Sequence, residues 1–267
     1  MKLLTKNIFP YIAPVLFLFS CNKEEVIQLD LSSDPVQYVI EGQVSDEAKA
    51  YSVRITQSVP FDHTNNFPAV RGALVVIADN TGQVDTLVEK SPGWYETPKV
   101  KTGVYGRTYT LQVWIKGSLF TAKSTMPHKV PFDDLSVINL PFGGENARTL
   151  MPFFKDPAGL GNNYQFVQSK NGKRQPNIFV MDDRNNDGAQ VSNLLIAPDL
   201  KITPGDTMTV EMRNIDRATY KYFVALDASN GNGPNASVPA NPGNNFGGEC
   251  LGYFSAHTVQ RRMLIVE

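Results

Sequence analysis

A hexapeptide rich in side-chain oxygens is the feature of this sequence that most directly suggests chemistry. It reads Asp183-Arg184-Asn185-Asn186-Asp187-Gly188, with carboxylate or amide oxygens at Asp183, Asn185 and Asp187. Alternate oxygens of this kind converge on Ca²⁺ in calcium loops, where the glycine permits a sharp turn. Such loops carry a bidentate Glu at the twelfth position, which here is Leu194. An Asn/Asp-Gly hairpin turn explains the same residues, so a calcium site and a plain turn both stay open.

Catalytic patterns are sparse elsewhere in the chain. No two of its histidines have metal-ligand spacing, and they stand in different contexts, at His63, His128 and His257. The sequence contains neither an H-E-x-x-H nor a G-x-S-x-G motif. A glycosidase needs only two carboxylates about 5 to 9 Å apart in space, so Asp133 with Asp156 or Asp182 is a candidate pair. The sequence favours a protein that is not an enzyme, with a surface hydrolase of glycan or peptide as an alternative.

A lipid-attachment signature lies near the start of the chain. Two lysines precede an apolar stretch from Ile8 to Phe19, which is shorter than the roughly 20 residues of a transmembrane helix. The following Leu18-Phe19-Ser20-Cys21 resembles the lipobox of bacterial lipoproteins, whose cysteine sulfur takes a diacylglyceryl group. The resemblance implies that residues 1–20 are a signal peptide and that acylated Cys21 anchors the protein in outer-membrane lipid. An ordinary signal peptide with a chance cysteine is the alternative.

Three charged residues directly after this cysteine carry a second resemblance. Lys23-Glu24-Glu25 resembles the signal that sends Bacteroidetes-type lipoproteins to the outer face of the outer membrane. It implies that the folded part lies outside the cell. A charged, solvated tether explains the same residues without export.

Two short motifs resemble acceptors for Bacteroidetes O-glycosylation. Asp85-Thr86-Leu87 and Asp206-Thr207-Met208 both have the Asp-Thr-apolar pattern. The resemblance implies that Thr86 and Thr207 carry a bulky, solubilising sugar. Both motifs also fit a turn that runs into a strand.

Composition excludes several other classes of protein. The chain has 25 Lys and Arg against 26 Asp and Glu, without a basic run, so nucleic acid is not an expected partner. It has two cysteines, and with Cys21 committed to lipid, Cys250 has no intrachain partner. A disulfide framework is therefore excluded, and Cys250 is expected to be a small buried hydrophobe.

Alternating apolar residues separated by short turn motifs dominate the first half of the chain. Val53 with Ile55, and the triplet Tyr109, Leu111 and Val113, show the period of two that is typical of half-buried strands. The helical period is missing between Tyr38 and Met126, which favours an antiparallel sandwich.

A second β-rich region follows Pro127 and Pro131. Its clearest strand pattern is the alternation of Met208, Val210 and Met212. One helix is predicted, with Asp216 as its N-cap and with an apolar face that includes Tyr220, Phe223 and Val224. A long loop is predicted over Gly231 to Gly248, and a last strand region over Tyr253 to Val266.

The predicted fold is mainly β: two antiparallel β-sandwich, immunoglobulin-like domains with one short helix in the second. The predicted segments are a signal peptide (1–20), a tether (21–36), an N-terminal immunoglobulin-like β-sandwich (37–127) and a C-terminal β-rich domain (128–267).

Several segments carry a resemblance that covers nearly the whole chain after the signal. They are Ile40-Glu41-Gly42, Gly93-Trp94-Tyr95, Asp156-Pro157-Ala158-Gly159, Asn244-Asn245-Phe246-Gly247-Gly248 and Leu251-Gly252-Tyr253-Phe254-Ser255-Ala256. Together they resemble a family of uncharacterised Bacteroidetes surface lipoproteins, often encoded beside SusC-like TonB-dependent transporters. The family supplies architecture and neighbourhood but no mechanism, and fold analogy alone does not give function.

The expected function is therefore non-catalytic. The resemblance implies an outer-membrane, surface-exposed lipoprotein that acts as a binding or accessory subunit of a TonB-dependent nutrient transporter. A free-standing adhesion or scaffold module is the first alternative, and a surface hydrolase is the second.

Overall fold

Strands dominate the computed structural model, which describes residues 36–60, 66–141, 147–229 and 242–267. In these ranges the strands are β1 (Tyr38–Ser45), β2 (Ser52–Gln57), β3 (Leu74–Asp79), β4 (Val84–Ser91), β5 (Trp94–Glu96), β6 (Thr108–Ile115), β7 (Ser118–Thr125), β8 (Asp134–Asn139), β9 (Arg148–Lys155), β10 (Asn163–Lys170), β11 (Lys173–Arg174), β12 (Phe179–Asp182), β13 (Gln190–Val191), β14 (Thr207–Asn214), β15 (Phe246–Gly247) and β16 (Leu251–Ile265). One helix, α1 (Arg217–Ser229), follows β14. The prediction of a mainly β fold with one helix is confirmed.

The first hydrophobic core lies between the strands that precede Met126. Alternation in β6 buries Tyr109, Leu111 and Val113 and leaves the intervening residues half exposed. Pairing runs in the order β1-β2-β5-β4-β3-β6-β7, each pair antiparallel, so the strands wrap around this core. These are the strands that the period of two predicted.

The second core lies between β10, β14 and a separate three-stranded sheet. Met208, Val210 and Met212 point from β14 into this core and are at most 1% exposed. Leu150 and Phe154 of β9 meet them from the sheet ordered β13-β9-β8. Two layers of strands with apolar inner faces make this a sandwich as well.

A single strand, β16, belongs to both cores. Its first half pairs with β1 from Leu251 to His257, and its second half pairs with β14 from Thr258 to Ile265. Phe254 and Ala256, in the segment predicted as the second domain, are fully buried in the first core. One hydrogen-bonded sheet therefore runs through both halves of the molecule, while the 127/128 boundary stays a prediction.

The β1–β16 pair departs from the antiparallel prediction. The two strands run parallel, which is possible because the entire remaining fold connects them and no tight hairpin sets their direction. Backbones approach closely at Gly252, where φ is +105°. A Cβ placed there would lie 2.0 Å from the Ile40 carbonyl oxygen, so this position requires glycine.

The helix begins where the sequence predicted. Asp216 Oδ1 accepts the Thr219 amide at 2.8 Å, which is N-cap geometry. Phe223 is buried as predicted, but Val224 is not, since it is 41% exposed. Tyr222, which was not predicted, packs with Phe223 on Tyr253 of β16, because these larger rings fill the space above the sheet.

The predicted loop from Gly231 to Gly248 is wrong at its end. Residues 230–241 lie outside the described ranges, but Phe246–Gly247 forms the short strand β15 against β7. The Asn245 side chain donates to the Phe254 carbonyl oxygen at 2.7 Å and accepts the Phe254 amide at 2.9 Å. An asparagine side chain thus supplies main-chain-like bonds that a hydrophobic period does not reveal.

Candidate functional site

The predicted calcium residues form a tight turn whose carboxylates bind backbone amides. Asp183 is buried, and its Oδ2 accepts the amides of Gly161 and Asn162 at 2.7 Å each. Asp187 Oδ1 accepts the Gly159 amide at 2.6 Å, while Asn185 is exposed. These contacts join the 183–189 turn to the 156–162 loop, which is the turn chemistry that the sequence allowed. In the described ranges no group of three His, Cys, Asp or Glu side chains is placed to hold a metal ion.

Asp156 is a second buried carboxylate in the same loop pair. It is fully buried, accepts the Tyr164 hydroxyl in a short hydrogen bond, and lies 3.3 Å from the Gly188 amide. The other members of the predicted carboxylate pairs have different surroundings. Asp133 is exposed, and Asp182 is paired with Arg184 and Arg217 at 2.7 and 2.9 Å. Burial raises the pKa of Asp182, but Arg217 and Arg184 together outweigh it and hold this pKa below its usual value.

His257 is buried on β16, at the end of the segment that pairs with β1. It is 1% exposed, and its Nδ1 lies 3.1 Å from Ser255 Oγ. Its Nε2 has no hydrogen-bond partner among the described residues, nor has the Oγ of Ser45, its neighbour across the β1–β16 pair. Burial, and then Arg213, hold the pKa of His257 well below 6.5, so the ring is neutral. The imidazole of His257 therefore contributes to packing within the sheet.

Sequence reasoning missed an ion-pair network on the same face. Arg261 contacts Glu47 and Glu211, and Glu211 also contacts Arg213 at 2.5 Å. Arg261 is the largest influence that lowers the pKa of Glu47, to about 2. The available signal was Arg261-Arg262, two charged residues within a predicted strand. The network ties the loop after β1 to the centre of β16.

The two predicted glycosylation threonines differ in accessibility. Thr86 is exposed on β4. Thr207 is half-buried at the start of β14, where its amide donates to Asn171 Oδ1 at 2.8 Å. A sugar therefore has room at Thr86, and modification at both positions stays a prediction.

Several predicted residues lie outside the described ranges, namely Cys21, Lys23, Glu24, Glu25 and His63. Cys250 is described, and it is a free thiol buried in the first core. Burial raises the pKa of this thiol to about 11, so it stays protonated. Within the described residues, no helix has the length and hydropathy needed to cross a bilayer.

A groove of about 360 Å³ opens between β8 and the end of β16. The groove has a mixed lining: the apolar residues are Leu135, Val137, Leu264, Ile265 and Val266, and the polar ones are Ser136, Asn139, Arg148 and Glu267. Arg148 Nη1 donates to the Glu267 main-chain oxygen at 3.1 Å across one end of the groove. The lining therefore offers both apolar contact surface and hydrogen-bonding groups.

Strand pairing leaves both walls of this groove open. The described strands pair β8 only with β9, and they pair β16 beyond His257 only with β14. The groove was not predictable from the sequence, because it forms only where two distant segments lie side by side.

The family model described as domain of unknown function (DUF4249) matches residues 24–263. No curated protein matches the sequence.

Among solved structures, the chain is similar to a two-domain fibronectin type-III segment from chicken tenascin. The identity is 11% and the TM-score 0.26, with 87% of this chain and 100% of that one covered. A cytokine receptor complex matches at 11% identity and a TM-score of 0.26, covering 84% and 94%. A DUF4785 family protein from Legionella pneumophila matches at 12% and 0.22, covering 68% and 53%. TM-scores this low support no conclusion about the fold or the function of this chain.

Proposed function

We propose, from the premise that the chain belongs to the DUF4249 family, that it is a non-catalytic binding subunit anchored by lipid at the outer membrane. In this proposal, acylated Cys21 holds the protein in the membrane, and Lys23-Glu24-Glu25 directs it to the outer face. Its partner is a TonB-dependent nutrient transporter, for which it serves as an accessory subunit.

The environment of the polar side chains supports a binding role over a catalytic one. The carboxylate of Asp183 binds two backbone amides, and that of Asp156 binds Tyr164. His257 is neutral and enclosed. The groups that catalysis would use are thus engaged in fixing loops and the sheet, whereas the β8–β16 groove is open to a ligand.

The shared strand supports an accessory role because it joins the two cores through one hydrogen-bonded sheet. β16 is 15 residues long and contributes side chains to both cores. In this proposal, one half of the molecule contacts the transporter and the other half stays free to contact a ligand. The tether that precedes Val36 supplies the distance from the membrane.

The test is purification of the acylated protein from native outer membranes in mild detergent, followed by identification of what stays bound. We expect a stoichiometric TonB-dependent transporter. The matched control is Cys21→Ala, which should lose both fatty-acid labelling and the membrane fraction. Recovery of the protein alone would contradict the accessory role and would favour the adhesion or scaffold alternative.

Export is tested separately with protease added to intact cells. The wild-type protein should be cleaved, and the double variant Glu24→Ala, Glu25→Ala should be protected because it stays on the inner leaflet. Cleavage of both proteins alike would contradict the proposed export signal.

A further inference from the structure

The tether joins the first region at one end of its strands. Val36 directly precedes β1, and antiparallel pairing joins Tyr38 to Gln57 of β2 and Arg54 to Trp94 of β5. The register of the other strands brings the end of β4, the start of β3, the β6–β7 turn and the start of β16 to the same side. We call this surface the tether end, and it comprises residues 36–38, 57–58, 67–74, 88–94, 114–119 and 249–251.

Large apolar side chains are exposed at the tether end. Leu74 and Leu119 are 50% and 45% exposed, and both are cross-strand partners of half-buried Trp114, so the three side chains share one face. Phe67, in the loop before β3, and Trp94, at the start of β5, are 45% and 37% exposed. A group of exposed apolar side chains marks a surface that contacts a protein or a membrane.

Charged residues at the tether end are mainly cations. Arg71, Lys90 and Lys116 are exposed there. The acidic residues among the described part of this surface are Glu249, which is exposed, and Glu89, whose carboxylate accepts two loop amides at 3.1 and 3.2 Å. An apolar surface with a slight excess of positive charge suits the boundary between the head groups and the acyl chains of an anionic bilayer.

The backbone of these loops is already hydrogen-bonded within the protein. The Gly72 and Gly93 amides donate to Glu89, and the Ala73 amide donates to the Tyr95 hydroxyl at 3.1 Å. An unpaired backbone group is costly where water is scarce, as it is below the head groups of a bilayer. Loops whose amides are paired in this way can enter that layer without this cost.

We propose that the tether end docks on the surface of the bilayer that holds the lipid anchor. This inference rests on the proposed acylation of Cys21. Residues 21–35 span at most about 50 Å when fully extended, so the tether keeps this surface near the bilayer and allows direct contact. Leu74, Leu119 and Trp94 insert at the level of the head groups, and the neighbouring cations contact anionic lipid.

The position of the tether selects the bilayer among the possible occupants. A partner protein or a second copy must diffuse to this surface, whereas the anchor holds the bilayer within reach of it. Anchoring gives the bilayer a high effective concentration, so contacts that would be weak for a free protein are sufficient. A few half-exposed apolar side chains and three cations match that requirement.

Docking at the tether end also orients the molecule. β16 runs from Leu251 at this end to Ile265 in the second region, a distance of about 45 Å at about 3.3 Å per residue. The first region therefore lies against the bilayer, and the second region with its β8–β16 groove points away from it.

Tryptophan fluorescence reports the docking directly, because the two tryptophans of the chain, Trp94 and Trp114, both lie at the tether end. The test uses the mature chain, residues 21–267, with Cys21→Ser, so that no acyl chain contributes to binding. The probe is vesicles of phosphatidylethanolamine and phosphatidylglycerol. We expect a blue shift of the emission when vesicles are added, and quenching when the lipids carry bromine on their acyl chains.

Charge substitutions on the exposed apolar residues test which surface docks. Leu119→Glu places an anion on the tether end and should weaken vesicle binding about tenfold or more. Phe67→Glu lies in a loop, and should give the same loss without disturbing a strand. Val84→Glu is the matched control, since Val84 is 64% exposed at the opposite end of β4 and should leave binding unchanged.

Two results would overturn the proposal: fluorescence that brominated lipid does not quench, and equal vesicle binding by Phe67→Glu and Val84→Glu. A dimer in sedimentation that Leu119→Glu dissociates would assign the surface to a second copy, which also overturns it. Because this assay uses protein without acyl chains, its outcome is independent of the anchor. Failure of the anchor would show instead as missing fatty-acid label on the wild-type protein.

Discussion

The two cores of this molecule bury different kinds of side chain. Among the described residues up to Met126, the buried polar side chains are all uncharged: Ser45, Thr56, Thr97 and Ser124. Beyond Met126 the buried set also includes three carboxylates and an arginine, Asp156, Asp183, Asp206 and Arg213. The first region relies mainly on apolar packing, and its enclosed charge is Asp79, which accepts the Thr81 and Gln83 amides and pairs with Arg107. The second region uses several buried charges to hold its loops in place. A buried carboxylate that accepts main-chain amides fixes a loop as firmly as packing fixes a strand.

From this difference we expect the largest loss of unfolding free energy when Phe254, the β16 residue in the first core, is replaced. Phe254→Ala should cost about 3–5 kcal/mol of unfolding free energy, because the cavity cannot collapse among fully buried neighbours. Urea unfolding measures the loss, with Val224→Ala on the exposed helix face as the control. A cost near that of the control would mean that β16 does not hold the first core together.

The matching change in the second region removes a charge instead of a ring. Asp183→Ala should cost about 2–3 kcal/mol, because the Gly161 and Asn162 amides lose their acceptor. Asp187→Ala removes an exposed carboxylate from the same turn and should cost less than about 1 kcal/mol. Equal losses at the two positions would contradict the idea that burial makes Asp183 decisive.

Calcium is the competing explanation for this turn, and it predicts a different response. A site whose dissociation constant lies a hundredfold below the ion concentration adds about 2.7 kcal/mol to stability. Because amides already occupy Asp183 Oδ2, we expect the thermal midpoint to stay constant when millimolar Ca²⁺ is added. A rise that Asp183→Ala abolishes would restore the calcium hypothesis.

Mild acid should destabilise the junction of the two regions through His257. The folded-state pKa of this residue lies well below 6.5, so below that pH the unfolded chain binds more protons than the folded one. Stability should therefore be constant above about pH 7 and fall by up to about 1.4 kcal/mol per pH unit below pH 6.5. Chemical unfolding at pH 7.5 and 5.5 measures this, and His257→Gln should flatten the profile. If the stability of the His257→Gln variant still fell steeply with acid, another group would be the one that binds the destabilising proton.

The smallest expected loss of stability comes from a substitution at Glu47, which contacts Arg261 of β16. Glu47→Gln removes one partner of Arg261, whose side chain is 45% exposed and also contacts Glu211. Solvent screening limits the cost to less than about 1 kcal/mol at low salt, and high salt should erase it. A cost that persists at high salt would show that the network is packed more tightly than its exposure indicates.

The sequence predicted the first region better than the second, for a physical reason. Apolar alternation such as Tyr109, Leu111 and Val113 is a local signal, and those strands lie where it indicated. The N-cap at Asp216 is equally local and was also confirmed. By contrast, the parallel pairing of β16 with β1 and the Asn245 bonds to Phe254 depend on residues that meet only in the fold.

The candidate site was predictable only in part. Asp183 and Asp187 were recognised as a turn or a metal loop, and their partners at Gly159 and Gly161 come from a loop more than twenty residues away. The groove has no sequence signature, because it lies between β8 and the end of β16, whose outer edges pair with no other described strand. Unpaired edges are a property of the strand order, which a local pattern does not encode.

Hydrogen exchange of individual β16 amides, measured by NMR on the mature chain, tests most directly whether this strand joins both cores and ends in an open edge. The Val266 amide donates to the Asp206 carbonyl oxygen at the start of β14, and alternate amides of an edge strand face away from its neighbour. We therefore predict slow exchange at Phe254 and Leu264, in the first and second halves of the strand, and fast exchange at Met263 and Ile265. Equal protection at Met263, Leu264 and Ile265 would mean that the edge is already covered. Fast exchange at all three would mean that the strand does not extend into the second core.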